Sequence, residues 1–263
     1  MKTTIIGVGA MGGAIVEGLL KCPTTSPSEI TIADPSEAAL SRFAETGVSL
    51  TTDNAAAVQG ANLVMVVVKP WLVESVLQGI LENLDIKEQV IVVIAAGVAS
   101  KDIARWLDKG KGDRPRLLLA IPNTAIAVRE SMTFLVPAGC TTDDTHMVEG
   151  LFGQLGRCIV TEERLLAAGT TLASCGIAYA MRYVRAAVEG GVEIGFKAHD
   201  AEDIVLQTVK GAVSLLQATG EHPEAAIDKV TTPGGVTIKG LNEMEHAGFT
   251  SAVVRGIKAG MGK

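Results

Sequence analysis

The feature that most restricts the fold is the segment GVGAMGG at residues 7–13, which spaces Gly7, Gly9 and Gly12 as Gly-x-Gly-x-x-Gly. The β-branched run TTIIG leads into it, and a helical pattern over residues 11–21 follows it. A strand that enters a helix through this spacing predicts the first βα unit of a parallel sheet, with a dinucleotide bound at the turn. The first glycine permits the tight turn, the second lets a pyrophosphate approach the backbone, and the third lets helix and strand pack closely.

Short apolar runs continue to alternate with helical patterns up to about residue 160. The runs predicted as strands are EITIA (29–33), LVMVVV (63–68), VIVVIA (90–95), RLLLAI (116–121), MTFLV (132–136) and RCIVT (157–161). Uninterrupted apolar strands are typical of a sheet that is covered on both faces. Residues 1–160 are therefore predicted to form a Rossmann-type α/β domain with a doubly wound parallel sheet.

Beyond residue 161 the sequence shows helical patterns and no strand-like run. One or two helices are predicted over residues 162–195, another from about Asp200 to Gly220, and two shorter helices after it. We therefore predict an all-α domain at 161–263. Its many alanines and glycines would suit close self-association, although an internal core would give the same pattern.

Composition excludes several classes of protein. Hydrophobic residues make up 48% of the chain and charged residues 20%, as expected for a globular protein. A net charge of -6 without a basic run argues against nucleic acid as a partner. The apolar runs are too short to span a membrane, and glycines and Glu17 interrupt the first of them, unlike a secretory signal. Four scattered cysteines without a CxxC pair indicate no disulfide framework and no metal site, and we expect a cytoplasmic protein.

Asp34 ends the second predicted strand, 22 residues after Gly12, where an acidic residue accepts hydrogen bonds from the adenosine ribose. A carboxylate there would repel a 2′-phosphate and favours NADH over NADPH. The segment DPSE allows a second role, in which Asp34 caps a helix that has proline at its first position and glutamate closing a capping box. Both roles can coexist. Ser36 and Arg42 are the nearest residues that could hold a 2′-phosphate, so the cofactor is predicted to be NADPH or NADH.

The rest of the predicted cofactor site follows from the sheet, because ligands bind beyond the carboxyl ends of parallel strands. The predicted cofactor-binding residues at the first turn and after the next two central strands are Gly7, Gly9, Ala10, Met11, Gly12, Val68, Lys69, Pro70, Ala95, Ala96 and Gly97. Asn54 is predicted to touch the adenosine, although a helix cap would give the same pattern. Lys69 could face an anion or could be an exposed loop lysine.

A second glycine-rich loop, VTTPGGV at residues 230–236, leads into another helical pattern. Its proline would end the preceding helix, and Gly234 and Gly235 leave bare backbone at the start of the next one. Such a terminus favours a carboxylate, because its N–H groups are free and the positive end of the helix dipole lies there. Thr232 and Thr237 add hydroxyls. Alternatively, Thr232 only caps the helix.

Over essentially its full length the chain resembles the pyrroline-5-carboxylate reductase family, which makes proline from its cyclic imine precursor. The resemblance rests on GVGAMGGAI (7–15), VVKPW (67–71), AAGVA (95–99), IPNTA (121–125), GIAYAMRYVRAAVEGGVEIG (176–195) and above all VTTPGGVTIKGL (230–241). It implies a nucleotide-binding domain and a helical domain that interlocks with a partner subunit in a homodimer, in some cases within a larger ring.

The resemblance also implies roles for the late loop. Thr237 matches the threonine that contacts the imine nitrogen and is the expected catalytic residue. The backbone that holds the substrate carboxylate is matched by Gly234, Gly235 and Val236. Thr232 stands where the family usually has serine, and Glu221 occupies a position that approaches the substrate in some members. The early and late glycine loops are accordingly expected to form opposite walls of one active site.

The chain departs from the family pattern in two places. Where the family commonly reads Gly-Ser-Gly-Pro-Ala-Tyr, this chain reads SCGIAY at residues 174–179, and Arg185 replaces an acidic residue. These changes leave room for a divergent substrate.

Two other functions stay open at this point. A β-hydroxyacid dehydrogenase-like reductase shares the two-domain plan but places a lysine on its first long interdomain helix, where this chain has Arg182 and Arg185. A protein that senses NAD(P) without turnover is the other alternative. A cyclic iminium already carries its proton and chiefly needs positioning, which agrees with four histidines that show no dyad spacing with a carboxylate.

Overall fold

The computed structural model describes residues 1–110 and 114–261. By compactness the chain divides into two units, Met1–Cys175 and Gly176–Lys263. Residues 262 and 263, which end the predicted helical domain, lie outside the described part.

The first unit is built on one eight-stranded sheet. Its strands are Thr3–Ile6 (β1), Ile30–Ala33 (β2), Ser49–Thr51 (β3), Leu63–Val66 (β4), Val90–Val93 (β5), Arg116–Ile121 (β6), Ser131–Ala138 (β7) and Gly156–Val160 (β8). They lie in the order β3-β2-β1-β4-β5-β6-β7-β8. From β1 the chain adds β2 and β3 toward one edge of the sheet, and from β4 onward it adds strands toward the other edge. The order of strands therefore switches between β1 and β4, directly beside the loop that follows β1, where doubly wound sheets bind ligands.

The predicted Rossmann-type sheet is confirmed, with one departure from purely parallel pairing. β6 and β7 pair antiparallel, with Leu118 opposite Pro137, whereas all other neighbours pair parallel. The connection over residues 122–130 contains only a 3₁₀ turn, Thr124–Val128. A parallel crossover needs about a dozen residues or more, so this link is too short for one.

β3 is a strand that the sequence did not predict. It has three residues, pairs only with β2 at the sheet edge, and its side chains are exposed or half-buried. Such a strand carries no apolar run. The helix expected to begin in the segment DPSE is short in the structure, where it spans only Glu37–Ser41.

Helices cover both faces of the sheet. Those of the first unit are Ala10–Leu20 (α1), Glu37–Ser41 (α2), Asn54–Ala57 (α3), Val73–Ile80 (α4), Ser100–Trp106 (α5), Thr142–Gly153 (α6) and Leu166–Gly169 (α7). Successive strand residues point to opposite faces, so Ile5 packs with Ile15 of α1 and Phe152 of α6, while Ile6 packs with Leu77 of α4. This arrangement gives the first unit two buried apolar layers.

The segment after β8 packs against the sheet in the first unit. Glu163 accepts hydrogen bonds from the backbone N–H and the hydroxyl of Ser100, and Gly169 lies against the ring of Phe134. The domain boundary predicted after residue 160 coincides with the end of the last strand, whereas compactness assigns residues 161–175 to the sheet unit. These contacts are the physical reason for the difference.

The second unit contains helices and no strand among its described residues, as predicted. Its helices are Gly176–Glu193 (α8), Ala198–Thr219 (α9), Pro223–Lys229 (α10), Val236–His246 (α11) and Phe249–Ala259 (α12). α8 packs on α9, where Gly191 lies against the buried Ala201.

The helix predicted from about Asp200 begins at Ala198, with Lys197 as its N-cap. The predicted number of later helices was wrong. Three helices rather than two follow α9, because Gly220 ends α9 with a positive φ and Pro223 then opens α10.

Candidate functional site

A cavity of about 730 Å³ in the first unit runs past the carboxyl ends of β1, β2, β4, β5 and β6. The predicted cofactor-binding residues that line it are Gly7, Gly9, Ala10, Met11, Asp34, Asn54, Val68, Lys69, Pro70, Ala95 and Ala96. Gly12, Ser36 and Gly97 were also predicted and do not line it. Residues far apart in the sequence thus meet at one cavity, because the parallel strands end at one edge of the sheet.

Two glycines of the first turn are required by the packing of the backbone. Gly7 has a φ of +93°, and a Cβ there would lie 2.4 Å from the carbonyl oxygen of Val67. A Cβ on Gly12 would lie 1.9 Å from the carbonyl oxygen of Gly7. At Gly9, by contrast, no atom lies within 4 Å of an added Cβ, so its bare backbone faces open space.

The helix that follows this turn begins without a side-chain cap. Gly9 is the N-cap of α1 and offers no side chain to its first N–H groups. Those groups remain available to an anion at the positive end of the helix dipole. The turn therefore offers free N–H donors and open space to an anionic group such as a pyrophosphate.

Arg42 holds the same turn from outside, which the sequence did not predict. Its Nη2 donates hydrogen bonds to the carbonyl oxygens of Val8, at 2.6 Å, and Gly9, at 3.2 Å. Gly13 makes room for it, since a Cβ there would lie 1.6 Å from that nitrogen. One nitrogen of Arg42, a candidate for binding a 2′-phosphate, is thus engaged by the turn.

Asp34 links the turn to the start of α2. Its Oδ2 accepts from the Val8 N–H and its Oδ1 from the Ser36 N–H, both at 2.9 Å. The alternative of a helix-capping Asp34 was wrong, because Ser36 is the N-cap of α2 and accepts from the Ala39 N–H. A carboxylate has about four acceptor positions, so Asp34 can still accept from a ribose hydroxyl.

Asn54 presents an unsatisfied acceptor. The cap of α3 is Asp53, which accepts from the N–H groups of Ala55 and Ala56, so the capping alternative for Asn54 was wrong as well. Among the described residues the buried Asn54 Oδ1 has no hydrogen-bond partner. Buried polar atoms are rarely left unpaired. A donor on a bound nucleotide would satisfy this one, and the glycine turn, the uncapped α1 and Asn54 together fit a dinucleotide.

At the β6 end of the cavity lie residues that were not predicted as site residues, namely Pro122, Thr124, Thr170 and Ser174. The first two belong to the motif IPNTA, and their position after a strand could have identified them. Thr170 and Ser174 lie in a π-helical turn, Thr170–Cys175, that continues α7. Their approach to β6 is a tertiary contact without a sequence signal.

The late glycine loop belongs to the second unit. The Gly235 N–H donates to the carbonyl oxygen of Thr232 at 2.9 Å, and Gly234 has a φ of +72°. Gly235 is the N-cap of α11 and makes no side-chain cap bond, so the capping role considered for Thr232 is not observed. A Cβ on Gly235 would lie 2.4 Å from the Thr232 hydroxyl oxygen, so this position requires glycine.

Thr237 occupies the first turn of α11. It is exposed, as is Thr232, and neither hydroxyl has a hydrogen-bond partner in the part of the chain that the structure describes. Both are free to bind a ligand. The Glu221 carboxylate, by contrast, has a partner: it forms an ion pair at 2.7 Å with Lys229, the last residue of α10. Arg185 pairs with Glu189 on the exposed surface of α8.

The strongest electrostatic perturbations lie outside the cavity. The Arg116 guanidinium, which forms a two-point ion pair with Asp144, lowers the pKa of that carboxyl to about 2. Burial raises the pKa of the Cys140 thiol to about 12 and that of Cys158 to about 11, so both stay protonated at neutral pH.

In residues 1–110 and 114–261, no cluster of three or more His, Cys, Asp or Glu side chains could hold a metal ion. No helix of these ranges is long and apolar enough to cross a membrane.

Two family models match the chain. Residues 163–263 match the model described as pyrroline-5-carboxylate reductase dimerisation, and residues 2–97 match NADP oxidoreductase coenzyme F420-dependent. The first supports self-association of the helical region, and the second supports a nicotinamide dinucleotide at the cavity.

Relatives and solved structures agree over nearly the whole chain. Pyrroline-5-carboxylate reductase 1 of Dictyostelium discoideum is 38% identical, with 96% of this chain aligned to 47% of that protein, so the chain spans about half of its length. Pyrroline-5-carboxylate reductase 2 of the same organism is 33% identical, with 96% of this chain and 88% of the relative aligned. The Plasmodium falciparum pyrroline carboxylate reductase, solved with NADP bound, superposes with a TM-score of 0.89 at 21% identity, over 99% of this chain and 95% of that one. This last similarity concerns the fold.

Proposed function

Because the chain belongs to the pyrroline-5-carboxylate reductase family, we propose that it reduces the C=N bond of 1-pyrroline-5-carboxylate to L-proline with NADH or NADPH. The observation that carries this proposal is the open N-terminus of α11, where an uncapped helix start and the free hydroxyl of Thr237 lie together. A cyclic amino acid precursor offers the matching chemistry, a carboxylate and a polar nitrogen. When NADH or NADPH is bound, its nicotinamide supplies the hydride.

On the cofactor side, residues of the chain bind and orient the nicotinamide dinucleotide. The N–H groups at the start of α1 bind the pyrophosphate, and Asp34 accepts from the adenosine ribose. The buried Asn54 Oδ1 gains the donor that it lacks among the described residues. A carboxylate at Asp34 opposes a 2′-phosphate, so we propose that NADH binds more tightly than NADPH.

On the substrate side, the late loop supplies an anion site. The free N–H groups at the start of α11, from Val236 onward, bind the substrate carboxylate at the positive end of the helix dipole. Thr237 contacts the imine nitrogen, and its oxygen accepts from the iminium N–H, which fixes the ring. Thr232 adds a hydroxyl and Glu221 an acidic group nearby. No side chain has to deliver a proton to an alcohol oxygen, as ketone reduction would require.

Hydride transfer requires both glycine loops to act on one substrate molecule, either within one chain or across two copies. A homodimer is the assembly that we propose, since the helical region matches a dimerisation model. A larger ring of such dimers is the wider assembly that the family resemblance implies. The cytoplasm is the proposed location, and the four unpaired cysteines agree with a reducing compartment.

Replacing Thr237 by alanine tests the assignment. We expect kcat/KM for pyrroline-5-carboxylate to fall about 100-fold, the usual loss when one oriented polar group is removed from an active site. The dissociation constants of NADH and NADPH should change by less than about 2-fold. Steady-state kinetics and fluorescence titration of both nucleotides measure these quantities, and the wild-type titrations also check the preference assigned to Asp34.

Thr237→Ser keeps the hydroxyl and should retain most of the activity. Thr208→Ala is a matched control, since this hydroxyl bonds within α9 to the carbonyl oxygen of Ile204. An unchanged rate in Thr237→Ala would remove Thr237 from the mechanism. Nucleotide binding without turnover in the wild type would favour a sensing protein, and oxidation of a β-hydroxyacid would favour the rival reductase.

A further inference from the structure

The π-helical turn Thr170–Cys175 brings two hydroxyls to the β6 end of the cavity. Thr170 and Ser174 both line it, and both are half-buried. π-Helical turns are rare and occur frequently at functional sites.

The protons of both hydroxyls are already used. Thr170 Oγ1 donates to the carbonyl oxygen of Leu166 at 2.7 Å, and Ser174 Oγ donates to the carbonyl oxygen of Pro122 at 2.6 Å. A hydroxyl has one proton and two lone pairs. Toward a ligand, each of these oxygens can therefore act only as an acceptor. The pair selects a group that carries N–H or O–H donors.

The position of the pair in the cavity identifies that group. The proposed function assigns the pyrophosphate to the turn after β1 and the adenosine to the side of Asp34, after β2. The other nucleoside of a dinucleotide therefore extends toward β4, β5 and β6, where Ile94, Ala95 and Ile121 give the cavity an apolar lining. A nicotinamide ring carries one donor group there, the NH₂ of its carboxamide.

We propose that Thr170 and Ser174 accept hydrogen bonds from the carboxamide NH₂ of the nicotinamide and thereby set the orientation of its ring. Thr124, on the same side of the cavity, has no hydroxyl partner in the described part of the chain and can donate to the carboxamide oxygen. Donor and acceptors then match the two ends of the amide. This inference rests on the proposed function in that it takes a nicotinamide dinucleotide as the occupant.

Direct binding of cofactor analogues tests the inference without turnover. Calorimetry would compare NAD⁺ with 3-acetylpyridine adenine dinucleotide, which keeps the carbonyl and lacks the NH₂, and with the thionicotinamide analogue, which keeps the NH₂. We expect the wild type to bind NAD⁺ about 10-fold more tightly than the acetyl analogue, as two modest hydrogen bonds are worth. The thionicotinamide analogue should bind within about 3-fold of NAD⁺.

Removal of the acceptors should abolish this discrimination. In the double variant Thr170→Val with Ser174→Ala, NAD⁺ and the acetyl analogue should bind within about 2-fold of each other. Thr170→Ser keeps its hydroxyl and should keep the discrimination. ADP-ribose, which has no nicotinamide, should bind equally to every variant. A uniform loss for all nucleotides, ADP-ribose included, would mean that the hydroxyls only hold the turn, and would overturn the inference.

The wild type alone can also refute the inference, so a variant that does not fold leaves it testable. Equal affinity of the wild type for NAD⁺ and the acetyl analogue would refute the carboxamide contact. Failure of both NAD⁺ and ADP-ribose to bind would instead refute the proposed function. Normal discrimination together with no reduction of pyrroline-5-carboxylate would leave this inference standing and reject the proposed substrate.

Discussion

The two units of this protein solve the problem of burying apolar surface in opposite ways. The first unit encloses fully buried side chains such as Ile5, Leu77 and Phe152 on both faces of its sheet. In the second unit, Ala201 is the only buried hydrophobic residue within 176–261. Large apolar side chains there are exposed instead, among them Leu206, Leu215, Phe249 and Val254.

This difference shows where each unit obtains its stability. Burial of apolar side chains is the dominant favourable term in folding, so the sheet unit can be stable within a single chain. Five helices that bury so little apolar surface cannot be stable within a single chain. Exposed apolar surface of this extent marks an interface. The match of this region to a dimerisation model supplies the partner, a second copy of the chain.

The largest effect should come from placing a charge on the exposed apolar surface of α9. Leu206→Asp is expected to dissociate the oligomer, because an interface core excludes unpaired charge. Light scattering should show a mass of about one chain, and the unfolding temperature should fall. Gln207→Glu puts a charge on the neighbouring exposed residue and should leave the mass unchanged. An intact oligomer in Leu206→Asp would place the interface elsewhere.

A smaller effect is expected from the ion pair that joins β6 to α6 in the sheet unit. Asp144→Asn leaves Arg116 without its carboxylate and should lower the free energy of unfolding by about 3 kcal/mol, at the low end for a buried pair because Arg116 is partly exposed. The exposed pair Arg185–Glu189 is the matched case in the helical unit. Glu189→Gln should cost no more than about 0.5 kcal/mol.

The pH dependence of this pair has a definite sign. The pKa of Asp144 is lowered from 3.8 to about 2, so its stabilisation is complete above about pH 4 and is lost as the pH falls toward 2. Urea unfolding of the wild type between pH 5 and pH 2 should show this loss, and Asp144→Asn should show less of it. Equal slopes for the two proteins would contradict the assignment.

The smallest effect is predicted for the first glycine turn. Gly12→Ala forces a Cβ against the Gly7 carbonyl and should cost about 1–3 kcal/mol, with at least about a 10-fold loss of NADH affinity. Gly79→Ala in α4 meets no atom within 4 Å and should be neutral or slightly stabilising. Both changes act inside one chain, so light scattering should give both variants the same mass as the wild type. A lower mass for Gly12→Ala would weaken the contrast between the units.

The parts of the fold that could be predicted from the sequence were those with a local cause. Buried strands such as β4 and β5 are continuous apolar runs, and the glycine spacing after β1 stands between a strand and a helix, the context that identifies a dinucleotide-binding turn. The end of α9 followed from one residue, Gly220, whose positive φ suits glycine. The family resemblance added the role predicted for Thr237 in the late loop, which stays a prediction.

What the tertiary structure decided depends on residues that are distant in sequence. The edge strand β3 has no apolar run and exists through its pairing with β2, and β7 runs antiparallel because its connection to β6 is short. Arg42 reaches the glycine turn across 34 residues, and Ser174 reaches Pro122 across 52. Local sequence preferences cannot predict such contacts. A hydrogen bond between a side chain and a backbone group that are distant in sequence depends on where the folded sheet places the two groups.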